Sequence, residues 1–151
     1  MIQDSILIEK RHKRFIKTVC ESKTVYSLKN KEGYATSSSV HFEDDEGKPI
    51  GLICFWAEKP LAKSCIKDSW TNYKLSKIQL SDFMENWCIG MENDELLIGT
   101  EFDQNMFGFE TEPMELILNL VTELKSIGKD LSFKKFNGII DLEKQVKAIT
   151  E

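Results

Sequence analysis

Apolar residues recur at helical spacing through Ile8, His12, Phe15, Ile16, Val19 and Cys20, while most lysines and arginines fall elsewhere on the cylinder. That spacing predicts a first helix over about Asp4 to Ser22. Val25 to Leu28 and Tyr34 to Thr36 flank Asn30-Lys31-Glu32-Gly33, which reads as a hairpin because Gly33 can adopt the positive φ a turn demands. A strand around Ser39 to Phe42 is cut by Glu43-Asp44-Asp45-Glu46-Gly47. The next strand, Ile50 to Trp56, is the most apolar in the chain and belongs in the middle of a sheet.

Pro60 suits a helix's first turn, and Leu61, Ala62, Cys65, Ile66 and Trp70 form a stripe that predicts a short second helix over about Pro60 to Asp68. Lys77 to Leu80 reads as a strand. Ser81 then offers an N-cap and Asp82 a first-turn acid for a third helix carrying Phe83, Met84, Trp87 and Cys88. Leu96 to Phe102 and Met106 to Thr111 alternate around Asp103-Gln104-Asn105, a second hairpin. Pro113 opens a fourth helix with Ile117, Leu120, Val121 and Leu124 on one face, and Gly128 stops it. This order predicts an α+β single domain, a largely antiparallel sheet covered by four to five helices. Residues 1–128 form that domain, and residues 129–151 are a C-terminal extension docked on it. Phe133, Phe136, Ile140, Leu142, Val146 and Ile149 make the extension too apolar to stay in water.

Composition narrows function mostly by exclusion. Twenty basic against 25 acidic residues leave a net charge of -5, which repels phosphate backbones and argues against nucleic acid as a partner. The longest apolar run, Leu52 to Ala57, is far too short to cross a bilayer, and the N-terminal pattern is the reverse of a signal peptide, so a cytoplasmic protein without a membrane partner is expected. Cys20, Cys54, Cys65 and Cys88 stand singly on apolar stripes and are expected as buried free thiols, neither disulfides nor zinc ligands.

Candidate chemistry is sparse. His12 lies on the apolar stripe of the first helix and is expected at the edge of the core. His41 sits between Val40 and Phe42, on the opposite side of its strand. The acidic run does not match an EF-hand and reads as a solvated turn. No phosphate-binding glycine pattern or nucleophile motif follows any strand, so no catalytic residue, metal or cofactor is assigned. Lys13, Arg14 and Lys17, within the run Lys10 to Lys17, offer a local basic surface suited to an acidic protein partner. Tryptophan is hard to bury fully and is enriched at hot spots, so Trp56 or Trp70, with His41, is the expected place for a groove or an aromatic pocket. A protein-binding module of immunity or regulatory type is therefore expected, a monomer ahead of a homodimer. A small enzyme or metabolite binder using the aromatic pocket is the alternative.

One resemblance carries across most of the chain, from Arg11 to about Leu124. The first-helix run Arg11-His12-Lys13-Arg14-Phe15-Ile16-Lys17, the Phe55-Trp56 pair closing a strand, Ala62, Trp70 and Tyr73 resemble the bacterial family catalogued as domain of unknown function twenty-seven fifty. So do Ile78-Gln79-Leu80-Ser81-Asp82-Phe83 followed by Trp87, and the pairing of Leu96 to Thr100 with the Pro113 helix. His12 stands where that pattern has a tyrosine, and the chain from Leu131 onward lies outside it. The resemblance implies a small cytoplasmic bacterial protein and transfers no activity.

Overall fold

Helix α1 (Ile2–Ser22) stops where Lys23 turns left-handed at φ 59° and its N–H closes on the Val19 carbonyl at 2.8 Å. Strand β1 (Thr24–Asn30) follows at once, so the buried stripe of the helix lies over the strand it feeds. The computed structural model describes residues 2–150. Around β1 lie β2 (Gly33–Tyr34) and β5 (Lys74–Gln79), in the order β2-β1-β5. A second sheet runs β3-β4-β6-β7, from β3 (Thr36–Glu43), β4 (Pro49–Phe55), β6 (Leu97–Thr100) and β7 (Phe109–Thr111). Tyr26 and Trp56 exchange backbone hydrogen bonds of 2.8 and 2.9 Å, joining the end of β4 to β1 and so the two sheets to each other. The strand pairings are antiparallel except β4 with β6, where Leu52 stands opposite Leu97 in parallel register.

Strand alternation divides the core between the two faces. Leu52, Cys54 and Trp56 face Ala62, Cys65 and Trp70, whereas Phe55 faces Phe15, Phe83 and the larger helical layer. Helix α2 (Lys59–Ser64) is shorter than the expected Pro60 to Asp68, because the backbone is extended at Lys67 and resumes as a 3-10 turn at Asp68–Trp70. That break returns Trp70 to the core beneath Trp56.

Helix α3 spans 80–93 in three consecutive pieces: α-helical Leu80–Asp82, a π-helical stretch Phe83–Cys88, and α-helical Ile89–Asn93. Ser81 is not its N-cap. The Leu80 N–H instead donates to the Lys23 carbonyl at 2.9 Å, so β5 runs directly into the helix and Ser81 falls inside the first turn. Helix α4 (Pro113–Ser126) ends before Gly128, which is left-handed at φ 68°. Asp130 then accepts the backbone N–H of Ile139 at 2.9 Å and opens helix α5 (Gly138–Thr150), which packs against α4 through Ile139, Leu142 and Val146. Of the apolar residues expected to pack here, Ile140 is 58% and Ile149 71% exposed. Ile140 is rotated one residue off the buried stripe, and Ile149 lies in the terminal turn.

Candidate functional site

The end of β3 leaves its ladder. Register with β4 shifts between Ser38 and Glu43, and what fixes the displaced segment is a carboxylate from the opposite edge of the same sheet. Glu110 on β7 accepts the Val40 N–H at 3.0 Å and the Ser39 hydroxyl. The Ser39 oxygen in turn accepts the N–H groups of His41 at 3.1 Å and Phe42 at 2.8 Å. With its polar backbone satisfied in this way, the segment holds Val40 81% and Phe42 41% exposed.

Phe42, β7, α1 and one face of α4 line a cleft of about 530 Å³. Its charged lining is Glu9, Glu110, Glu112, Glu115 and Glu123 against a single Lys13. Lys13 lies 3.6 Å from Glu9, so it offsets part of that field and presents little of its own. At the cleft wall His12 places Nδ1 2.7 Å from the Thr100 hydroxyl, and its ring stacks on Phe109 with centroids 3.9 Å apart. Burial lowers its pKa to about 4, which keeps the imidazole neutral near pH 7. The cleft therefore has one uncharged imidazole, an excess of carboxylates and an apolar rim. Its chemistry favours holding a cation beside an apolar group.

The residues singled out from sequence do not converge. Lys13 lines the cleft, Arg14 pairs with Glu58 at 3.6 Å, and Lys17 is exposed further along α1. His41 is exposed on the displaced end of β3. Trp56 and Trp70 form no groove: both are buried, with the Trp56 indole N–H donating to the Phe102 carbonyl at 2.9 Å and the two rings edge to face at 6.0 Å. A satisfied indole N–H removes the usual reason for a tryptophan to reach the surface. Trp87 is the half-buried one, edge-on to Tyr34 at 4.5 Å. Sequence reasoning placed it on a buried stripe with Phe83 and Cys88, and the π-helical stretch alters that spacing. The cleft glutamates were missed although Glu112, Glu115, Asn119 and Glu123 form a polar stripe at helical spacing.

The remaining features are structural. Asp44 Oδ1 accepts the N–H groups of Glu46 and Lys48, each at 2.9 Å, making the acidic run a turn. The four cysteines are free and buried, and burial raises their thiol pKa values, that of Cys20 to about 12. Among the described residues, no three or more His, Cys, Asp or Glu side chains gather as a metal-binding group. No described helix is long and apolar enough to cross a membrane. A family model described as "Protein of unknown function (DUF2750)" matches residues 12–120. That span runs from the cleft histidine into α4 and leaves α5 outside. No curated protein and no solved structure matches the chain.

Proposed function

We propose, for a chain that belongs to the DUF2750 family, a role as a protein-binding module that receives a basic, partly apolar segment of a partner in the cleft between α1 and α4. One observation carries this reading: the exposed Phe42, on the same displaced segment as the exposed Val40, lines a cleft with five glutamates and one lysine. An apolar anchor beside a complementary field is the usual composition of a specific docking face, with the charge setting encounter rate and orientation. The sign of the partner is the reverse of that expected from the Lys10 to Lys17 run. Lys13 and Arg14 each lie beside a carboxylate of this chain, whereas the cleft carries the surplus of negative charge.

Fluorescence anisotropy with a labelled lysine-leucine peptide, against a glutamate-leucine peptide of equal length, tests the reading. Saturable binding of the lysine peptide that weakens with salt, and weakens about tenfold in Glu112→Gln/Glu115→Gln, is expected. Equal binding of both peptides, or no effect of the double substitution, contradicts it.

A further inference from the structure

A second cleft, of about 600 Å³, opens where the helical layer stops short of the β1–β5 ladder. Lys29, Lys77 and Lys134 line it, all three are exposed, and none forms an ion pair among the described residues. Two carboxylates, Asp82 and Glu85, share the lining, and both accept hydrogen bonds from neutral donors. Glu85 accepts the backbone N–H groups of Lys134 and Lys135, and Asp82 accepts the Asn86 amide at 2.6 Å. On a chain of net charge -5, three lysines against two carboxylates leave this lining with a surplus of one positive charge.

Aromatic surface and hydroxyls complete the site. Trp87 is half-buried on the wall, set edge to face with Tyr34 at 4.5 Å and with Phe55 at 5.6 Å, and Lys29 lies 5.9 Å from the Tyr34 ring centroid. Ser76 lines the cleft. Its partner across the ladder, Ser27, is fully buried, and its hydroxyl has no hydrogen-bond partner. Glu85, Asn86 and Trp87 all belong to the π-helical stretch, a distortion that recurs at functional sites.

We propose that this cleft binds a small phosphate monoester carrying a flat ring, the ring against Trp87 and the phosphate among Lys29, Lys77 and Lys134. The proposal is independent of the peptide-binding reading and uses a different face.

Tryptophan fluorescence of the full chain tests it, since Trp56 and Trp70 are buried and Trp87 is the ring a ligand can reach. Phenyl phosphate and adenosine monophosphate are titrated in parallel with adenosine and inorganic phosphate. The expected result is saturable quenching by at least one monoester, several-fold weaker with either half-molecule alone, and weakened about fivefold or more in Lys77→Gln/Lys134→Gln. Near-ultraviolet circular dichroism verifies that the variant remains folded, and whichever monoester binds tighter identifies the ring. Absence of saturable quenching, equal binding by inorganic phosphate, or undiminished affinity in the folded lysine variant overturns the proposal.

Discussion

His12 on α1 and Thr100 on β6, 88 residues apart, place Nδ1 and Oγ1 2.7 Å from each other behind the acidic cleft. Because burial lowers the folded pKa from 6.5 to about 4, the unfolded chain binds this proton more readily than the native one. The contribution to stability is complete above about pH 6.5 and is lost as pH falls toward 4, amounting to at most about 3 kcal/mol. Urea denaturation at about pH 7 and about pH 4.5 should show a smaller drop in His12→Gln than in the parent. Equal drops in the two proteins would place the acid sensitivity elsewhere. Glu101 works in the opposite direction: burial raises its pKa, so it favours the folded state on acidification and does not mimic the effect of His12.

Phe102 lies against two glycines. A Cβ built at Gly108 would stand 2.0 Å from its ring and one at Gly99 2.7 Å, while its carbonyl accepts the indole of Trp56. Gly108→Ala should destabilise the fold by about 1–3 kcal/mol and shift the tryptophan emission of the native state. An unchanged denaturation midpoint would show that Phe102 can move without cost.

The segment after α4 is tied to α3 where Glu85 accepts the Lys134 and Lys135 amides and Asn86 accepts the Lys135 ammonium, and to α4 through Lys125 and Glu143, while Asp130 closes the segment on its own Ile139. Glu85→Ala leaves two N–H groups without their acceptor, at about 1–3 kcal/mol for each that stays buried, and hydrogen exchange at those amides should accelerate. Exchange unchanged at residues 134 and 135 would mean that the carboxylate does not hold the segment.

Removing residues 131–151 strips Leu131, Ile139, Leu142 and Val146 from the core. The truncated chain should melt lower and scatter more light, because the α4 face they cover becomes exposed apolar surface. A soluble truncation as stable as the parent contradicts docking of this segment on its own chain.

Local signals were legible in the sequence where they act over a few residues. Pro113 and Gly128 mark the ends of α4, the Asn30 to Gly33 turn gives the first hairpin, and the apolar run at Leu52 places β4 inside the sheet. Features fixed by distant residues were not. The π-helical stretch that carries the half-buried Trp87, the Lys23 carbonyl that replaces Ser81 as partner of the α3 start, and the parallel pairing of β4 with β6 all depend on contacts far along the chain. The cleft is the clearest case. Glu110 shapes it by reaching Ser39 and Val40 across the sheet, 71 and 70 residues away, and no periodicity in one segment carries that information.

Amide chemical-shift mapping with the lysine-leucine peptide tests the proposed docking face most directly. Perturbations concentrated at Glu9, Val40, Phe42, Glu112 and Glu115, and lost in Glu112→Gln/Glu115→Gln, are the predicted result. Shifts spread over the whole acidic surface, or centred on a face away from α1 and α4, would contradict it.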